Sequence, residues 1–293
     1  MNTLENSDVF TNIDPYLPLP ISSPSSAASA VRTPEQMQEQ LDRAAQLVAD
    51  EVATDDRRSA FALPKNFLLS VVIPVYNEER TIEQLLRQVE SIPIPKEIVL
   101  VDDCSHDGTP QILDRLKEEL RLRIISKQTN EGKGAALHDG FQAARGDVVV
   151  IQDADLEYDP HDIPHLLQPI LENSADVVYG SRFLDETPQD PSAVHRMGNR
   201  MLTAASNLFT GLELTDMETC YKAFRRCVLD EFDLQQKRFG FEPEITAKLA
   251  RQGWRFVEVP IRYQARGYKE GKKIGVKDGF NALYCIVRYG LWQ

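Results

Sequence analysis

Five short apolar, β-branched runs alternate with helix-forming segments, and this alternation restricts the fold more than any other feature of the sequence. The runs are Leu68–Val75, Glu97–Val101, Leu122–Ser126, Asp147–Ile151 and Asp176–Tyr179. Helical spacing fills the intervals at Glu79–Ser91, Thr109–Leu120, Lys133–Arg145 and Ile163–Asn173. Strands that lack polar alternation are buried on both faces, so the pattern predicts an α/β domain with a mostly parallel sheet flanked by helices. Ligands of such sheets sit at the carboxyl ends of the strands. The polar residues just past each run are therefore the candidates for chemistry.

Three strand ends stand out. The first run closes in Pro74-Val75-Tyr76-Asn77-Glu78. Pro74 lacks a backbone donor and stops the ladder. Tyr76 offers a face for stacking on a base, and Asn77 or Glu78 could cap the next helix. The second run closes in Asp102-Asp103-Cys104-Ser105-His106-Asp107-Gly108-Thr109. Asp103 is the functional candidate there, suited to a base N–H or ribose hydroxyls, while Asp107 reads as a turn and cap residue. The fourth run closes in Asp153-Ala154-Asp155-Leu156-Glu157. In an extended segment, Asp153, Asp155 and Glu157 share one side. Three such carboxylates repel unless a hard cation neutralises them, which points to Mg2+ or Mn2+ bridging to phosphate oxygens.

Past Ser181 the expected elements are a helix over Pro191–Thr210, a strand over Glu218–Phe224, a helix over Pro243–Arg251, a strand over Phe256–Val259 and a helix over Val276–Trp292. The last places Phe280, Leu283, Tyr284 and Val287 near one face, either to pack on the core or to touch a membrane. Residues 1–60 differ in composition. They read as a disordered leader, rich in proline and serine, with a helix-compatible stretch over Pro34–Val52. The domain expected to carry activity is 61–293.

The net charge of -12 argues against general nucleic-acid binding. One segment departs from that balance. Arg262, Arg266, Lys269, Lys272, Lys273 and Lys277 face a single acid, Glu270, which suits a local anion. Cys104, Cys220, Cys227 and Cys285 have no CxxC spacing, so reduced thiols are expected. No secretory leader pattern opens the chain. No apolar run reaches the roughly 18–20 residues that span a bilayer. A cytoplasmic location is expected, with peripheral contact at the inner face of a membrane.

Taken in order, the PVYNE (74–78), VDDCSHDGT (101–109), NEGKGAAL (130–137) and DADLE (153–157) runs resemble the family 2 glycosyltransferases of GT-A fold. The resemblance runs from about Leu68 to Gly290 and is strongest to the dolichol-phosphate mannosyltransferase and polyprenyl-phosphate glycosyltransferase group. It implies a Rossmann-like sheet and a nucleotide-sugar donor, GDP-mannose or UDP-glucose. Pro74, Tyr76, Glu78, Asp103 and Lys133 would hold the nucleotide, with Asp153 and Ala154. Asp153 and Asp155 would bind metal and diphosphate, with Glu157 at a position where the group commonly has Gln. Arg182, Arg266 and Lys273 would meet phosphates or sugar. The Cys220-Tyr221-Lys222 stretch departs from the group's Gly-Phe-Arg/Lys pattern on the acceptor side.

The implied reaction is inverting hexose transfer to a polyprenyl phosphate, an acceptor already anionic at neutral pH. Catalysis then rests on alignment and on charge stabilisation by Asp155-bound metal, Arg182, Arg266 and Lys273. Transfer to a glycan hydroxyl needs a base instead, and Glu242 or Glu244 is the candidate. A nucleotidyltransferase is disfavoured because PVYNEE lacks a phosphate-cradling glycine. An inactive nucleotide-sugar-binding protein is disfavoured by Asp153, Asp155 and Arg182.

Overall fold

The computed structural model describes residues 62–184, 193–230, 233–238, 240–265 and 276–291. The Pro34–Val52 stretch, Arg266 and Lys273 lie outside the described residues. The strands are β1 (Leu69–Val75), β2 (Lys96–Asp102), β3 (Arg123–Ser126), β4 (Val148–Ile151), β5 (Val177–Ser181), β6 (Lys222–Arg225) and β7 (Phe256–Pro260). The helices are α1 (Ile82–Ser91), α2 (Thr109–Leu116), α3 (Lys133–Ala143), α4 (Ile163–Leu171), α5 (Ala193–Thr210), α6 (Arg226–Asp230), α7 (Phe241–Arg251) and α8 (Val276–Leu291).

All seven strands form one sheet in the order β3-β2-β1-β4-β6-β5-β7. Every residue of β1 is buried, as its unbroken apolar run requires in a central parallel strand. The pairings are parallel except those of β6, which runs antiparallel to both β4 and β5. Pro74 sits in the sheet without loss. The Val72 carbonyl accepts from Gln152 and the Val75 carbonyl from Asp103, so by alternation Pro74 faces the β4 side, beyond the last β1–β4 pair at Val72↔Ile151. The ladder to β2 continues one residue past it, where the sequence had suggested a stop.

The helices cover the sheet through small or apolar faces. Ile82, Leu85, Leu86 and Val89 of α1 recur at helical spacing and are all buried. Helix α3 approaches β1 so closely that a Cβ at Gly140 would lie 2.4 Å from Val72 Cγ1. Helix α5 is inverted. Its buried residues are Thr203 and Ser206, whereas Val194, Met197, Met201 and Leu208 are 60% to 81% exposed. Helix α8 packs inward through a different face from the one marked in the sequence. Ala282, Cys285, Ile286 and Tyr289 are buried, and Phe280, Leu283 and Tyr284 face outward.

Several boundaries moved. Helix α1 starts at Ile82 instead of Glu79, with Thr81 at its N-cap, and neither Asn77 nor Glu78 caps it. Asn77 instead bridges loops: its Oδ1 accepts the His106 N–H at 2.8 Å, and its own N–H donates to Ser105 Oγ at 2.9 Å. Strand β6 is Lys222–Arg225, and residues 218–221 form the loop before it.

Candidate active site

One cavity of about 500 Å3 lies at the carboxyl edge of the sheet. Pro74, Tyr76, Glu78 and Asp103 line it from β1 and β2, Lys133 from α3, and Asp153, Ala154, Asp155 and Glu157 from beyond β4. Arg182, beyond β5, is there too. Every residue proposed from sequence to hold nucleotide, metal or phosphate that lies within the described residues thus faces this one space, whereas of the two candidate bases only Glu242 does. The cavity is completed by residues that the sequence had not singled out for roles, among them Glu218, Arg238 and Tyr263, and by Leu202, Gly279 and Ala282 from α5 and α8.

The strand ends are held in tight turns. Asn77, Cys104 and Leu156 adopt positive φ angles of 56°, 66° and 63°, after β1, β2 and β4 respectively. A left-handed leucine costs energy and persists only where its surroundings fix it. At Leu156 it bends the acidic segment, so residues 153–157 are not extended and the expected period of two fails. Glu157 accepts the Tyr263 hydroxyl at 2.7 Å at the wall of the cavity. Among the described residues, no group of three or more histidine, cysteine or carboxylate side chains is arranged to hold a metal ion.

Asp153 meets the Lys133 ammonium at 2.9 Å, and Glu242 lies 3.6 Å from the same nitrogen. Burial works against the charge on Lys133, but Asp153, with help from Glu242 and other neighbours, outweighs it and keeps the ammonium well above its ordinary range. The acidic turn thus already draws a cation. Asp103 is buried, and its two oxygens accept the N–H groups of Glu131 and Gly132 at 3.0 and 2.7 Å. This fixes the glycine-containing turn before α3. Gly132 has φ +100°, and a Cβ at Gly134 would fall 2.1 Å from the Gln236 carbonyl. The NEGKG run is therefore a packing site that aims Lys133. As expected, Asp107 is structural. Its carboxylate accepts the Glu79 and Thr109 N–H groups at 3.1 and 2.9 Å.

Arg182 is fixed by Asp216, a residue the sequence reading missed. Nε and Nη2 donate to its two oxygens at 2.7 and 2.8 Å, and the Arg182 N–H donates at 3.1 Å. Asn199 adds a fourth bond at 2.7 Å. The guanidinium also lies over the Tyr263 ring, 5.0 Å from its centroid. Burial alone would push the Asp216 carboxyl up, but the Arg182 charge holds it below the usual carboxylate range. Of the two candidate bases, Glu244 is fully buried and consumed by the Gln235 and Gln236 N–H groups at 2.8 and 2.7 Å and by Lys248 at 2.6 Å. Glu242 faces the cavity.

The antiparallel course of β6 explains why Asp216 was missed and why Glu218 was read as the start of a strand and given no place in the site. A strand of the parallel set delivers to the ligand edge the residues after its carboxyl end. Strand β6 runs the other way and delivers the residues before its amino end, so the loop at 214–221 joins the site. An unfilled requirement for a buried partner to Arg182 was the one available signal.

An open, mostly parallel sheet whose acidic strand ends surround one cavity is the architecture of a GT-A glycosyltransferase. Residues 70–232 match the family described as Glycosyl transferase family 2, and the chain belongs to that family. The undecaprenyl-phosphate mannosyltransferase of Micrococcus luteus is 33% identical over 231 residues, covering 75% of this chain and 93% of the relative. The undecaprenyl-phosphate 4-deoxy-4-formamido-L-arabinose transferase of Aeromonas hydrophila is 31% identical over 226 residues, covering 75% and 67%. Among solved structures, glucosyl-3-phosphoglycerate synthase from Mycobacterium tuberculosis, crystallised with Mn2+, UDP and phosphoglyceric acid, aligns with a TM-score of 0.61. It is 21% identical and covers 78% of this chain and 80% of its own.

Proposed function

We propose that the protein transfers a neutral hexose from a nucleoside diphosphate sugar to a polyprenyl phosphate at a membrane surface. One observation carries this reading. The cavity, which holds Lys133 and Arg182, is walled in part by α5 and α8, helices whose outer faces are apolar and exposed. An anionic headgroup suits the inside, and a bilayer suits the outside. The curated relatives named above support the same acceptor class. No helix among the described residues is long and apolar enough to cross a membrane, so contact through these faces is peripheral.

The donor would lie along the sheet. Tyr76 and Asp103 take the nucleoside at β1 and β2, Lys133 and the acidic turn take the diphosphate at β4, and Arg182 and Glu218 meet the sugar end at β5 and β6. Asp153 and Asp155 present only oxygen donors, which fits Mg2+ or Mn2+ with diphosphate and water completing the shell. Such an ion would supply charge neutralisation for the departing diphosphate. A phosphate oxygen of the acceptor attacks the anomeric carbon as the bond to the diphosphate oxygen breaks. The electron pair leaves with that oxygen, and the configuration inverts. Arg182, clamped by Asp216, faces developing negative charge without reorganising.

A second reading, transfer to a glycan hydroxyl, is favoured by Glu242, a carboxylate that faces the cavity and could take the proton. Radiolabelled UDP-glucose and GDP-mannose, offered with undecaprenyl phosphate or free oligosaccharides and Mn2+, separate the two. Label is expected in the organic phase. Label only in oligosaccharide, or none with lipid despite donor turnover, refutes the lipid acceptor.

A further inference from the structure

We propose that Glu218 is the residue that reads the transferred sugar, through a hydrogen bond between its buried Oε1 and a hydroxyl of a neutral hexose. This deepens the donor reading above and does not depend on which acceptor is used.

Three observations converge on it. Glu218 lines the catalytic cavity, and its Oε1 is buried with no hydrogen-bond partner. Buried polar atoms are nearly always satisfied, so an orphan in a ligand cavity marks a place for a ligand atom. Second, the backbone around it is fastened while the carboxyl is left over. The Met217 N–H donates to Thr203 Oγ1 at 3.1 Å, and the Cys220 N–H donates to the Tyr158 hydroxyl at 3.1 Å. Lys222 Nζ donates to the Met217 carbonyl at 3.0 Å and also to that of Thr219. A group held this firmly and left unpaired is preorganised for binding. Third, its position is right. Glu218 lies two residues from Asp216, the anchor of Arg182, and precedes β6, on the far side of the acidic turn from Tyr76 and Asp103.

The chemistry selects the ligand class. Burial, together with the lesser effect of the Glu242 charge, pushes the Glu218 carboxyl up to about 8. Lys222, Arg182 and Asp216 are the other charges that face it. A protonated carboxyl both donates and accepts, which matches a sugar hydroxyl.

The test is binding of UDP-glucose, GDP-mannose, UDP and GDP to the full chain with Mn2+, measured by calorimetry. Glu218→Ala is expected to weaken the nucleotide sugar about 10- to 100-fold and leave the free nucleotide within about twofold, because the lost bond is to the hexose alone. Glu218→Gln, which keeps donor and acceptor, stays within about threefold of wild type. Should the alanine variant fail to fold, Glu218→Asp withdraws the carboxyl and is read the same way. Equal weakening of sugar and free nucleotide, or no weakening of either nucleotide sugar, overturns the assignment. Because no acceptor is present, failure of lipid transfer leaves this result standing.

Discussion

Asp216→Ala strips the buried Arg182 of its counter-ion and is expected to be among the most damaging substitutions in the protein. The carboxylate is fully buried and accepts four hydrogen bonds, three of them from Arg182. The Arg182 side chain is only 12% exposed, so water does not replace what is lost. Removing one partner of a buried ion pair costs about 3–5 kcal/mol, most of it the penalty of an uncompensated charge. For a domain of this size, 1 kcal/mol shifts Tm by about 2–4 °C, so the expected fall is about 6–20 °C. Calorimetric melting reads it directly. Replacing both partners, as in Arg182→Met with Asp216→Leu, removes the stranded charge and should melt higher than Asp216→Ala, while transfer activity stays lost in both. The pH dependence has a fixed sign. Asp216 has a lowered folded pKa, so its contribution is present above the unfolded value and is lost as pH falls through the folded one. Asp216→Asn should flatten that acid limb and leave a constant deficit near neutrality. A Tm within 2 °C of wild type for Asp216→Ala, or a double variant less stable than the single one, refutes the account of Arg182.

Four further outcomes are expected. Asp155→Ala should lower hexose transfer by at least about 100-fold with the fold intact, as scored by circular dichroism, since it deletes a proposed ligand of the charge-neutralising ion. Gly134→Ala should cost about 1–3 kcal/mol in urea unfolding, because the new Cβ meets the Gln236 carbonyl at 2.1 Å and either α3 or the 236–238 loop must move. The raised carboxyl of Glu218 favours the fold below the unfolded pKa, and that advantage declines as pH rises toward about 8. Glu218→Gln should therefore gain stability over wild type between pH 5 and 8, and a pH-independent difference would count against a protonated Glu218. Met201→Glu with Leu208→Glu, at sites 67% and 81% exposed, should leave Tm nearly unchanged but abolish sedimentation with phospholipid vesicles.

The first half of the sheet was legible because each βαβ unit writes its own pattern: a buried run, a polar strand end, an amphipathic helix. Val71 to Val75 and Ile98 to Val101 sit where that pattern put them. The acidic segment after β4 was found by composition, but its geometry was not. A single left-handed residue, Leu156, turns it away from the extended form, and nothing in the side chain of leucine announces that conformation. On the other side, Asp216 and Glu218 owe their places beside the cavity to the direction of β6. Strand direction is a tertiary property, set by what β4 and β5 leave open between them. Likewise, Glu242 and Glu244 are alike in sequence, both in the first turn of α7, and only the loop at 235–236 distinguishes the one that is consumed from the one left in the cavity.

The reversed strand also bears on how the chain assembles. Pairings among β1, β2 and β3 join neighbours along the sequence and close early at modest entropic cost. The open edge of β4 waits for a strand that is made only after α5, since Val148 pairs with Arg225. Non-local closures of this kind are slow, and an unpaired strand edge is exposed in the interval. The β1–β3 half of the sheet can thus form while the ribosome is still delivering the half that holds β5 to β7. Assembly of the complete pocket falls to the last strand pairings, which makes the β4–β6 seam the place where misfolding would begin.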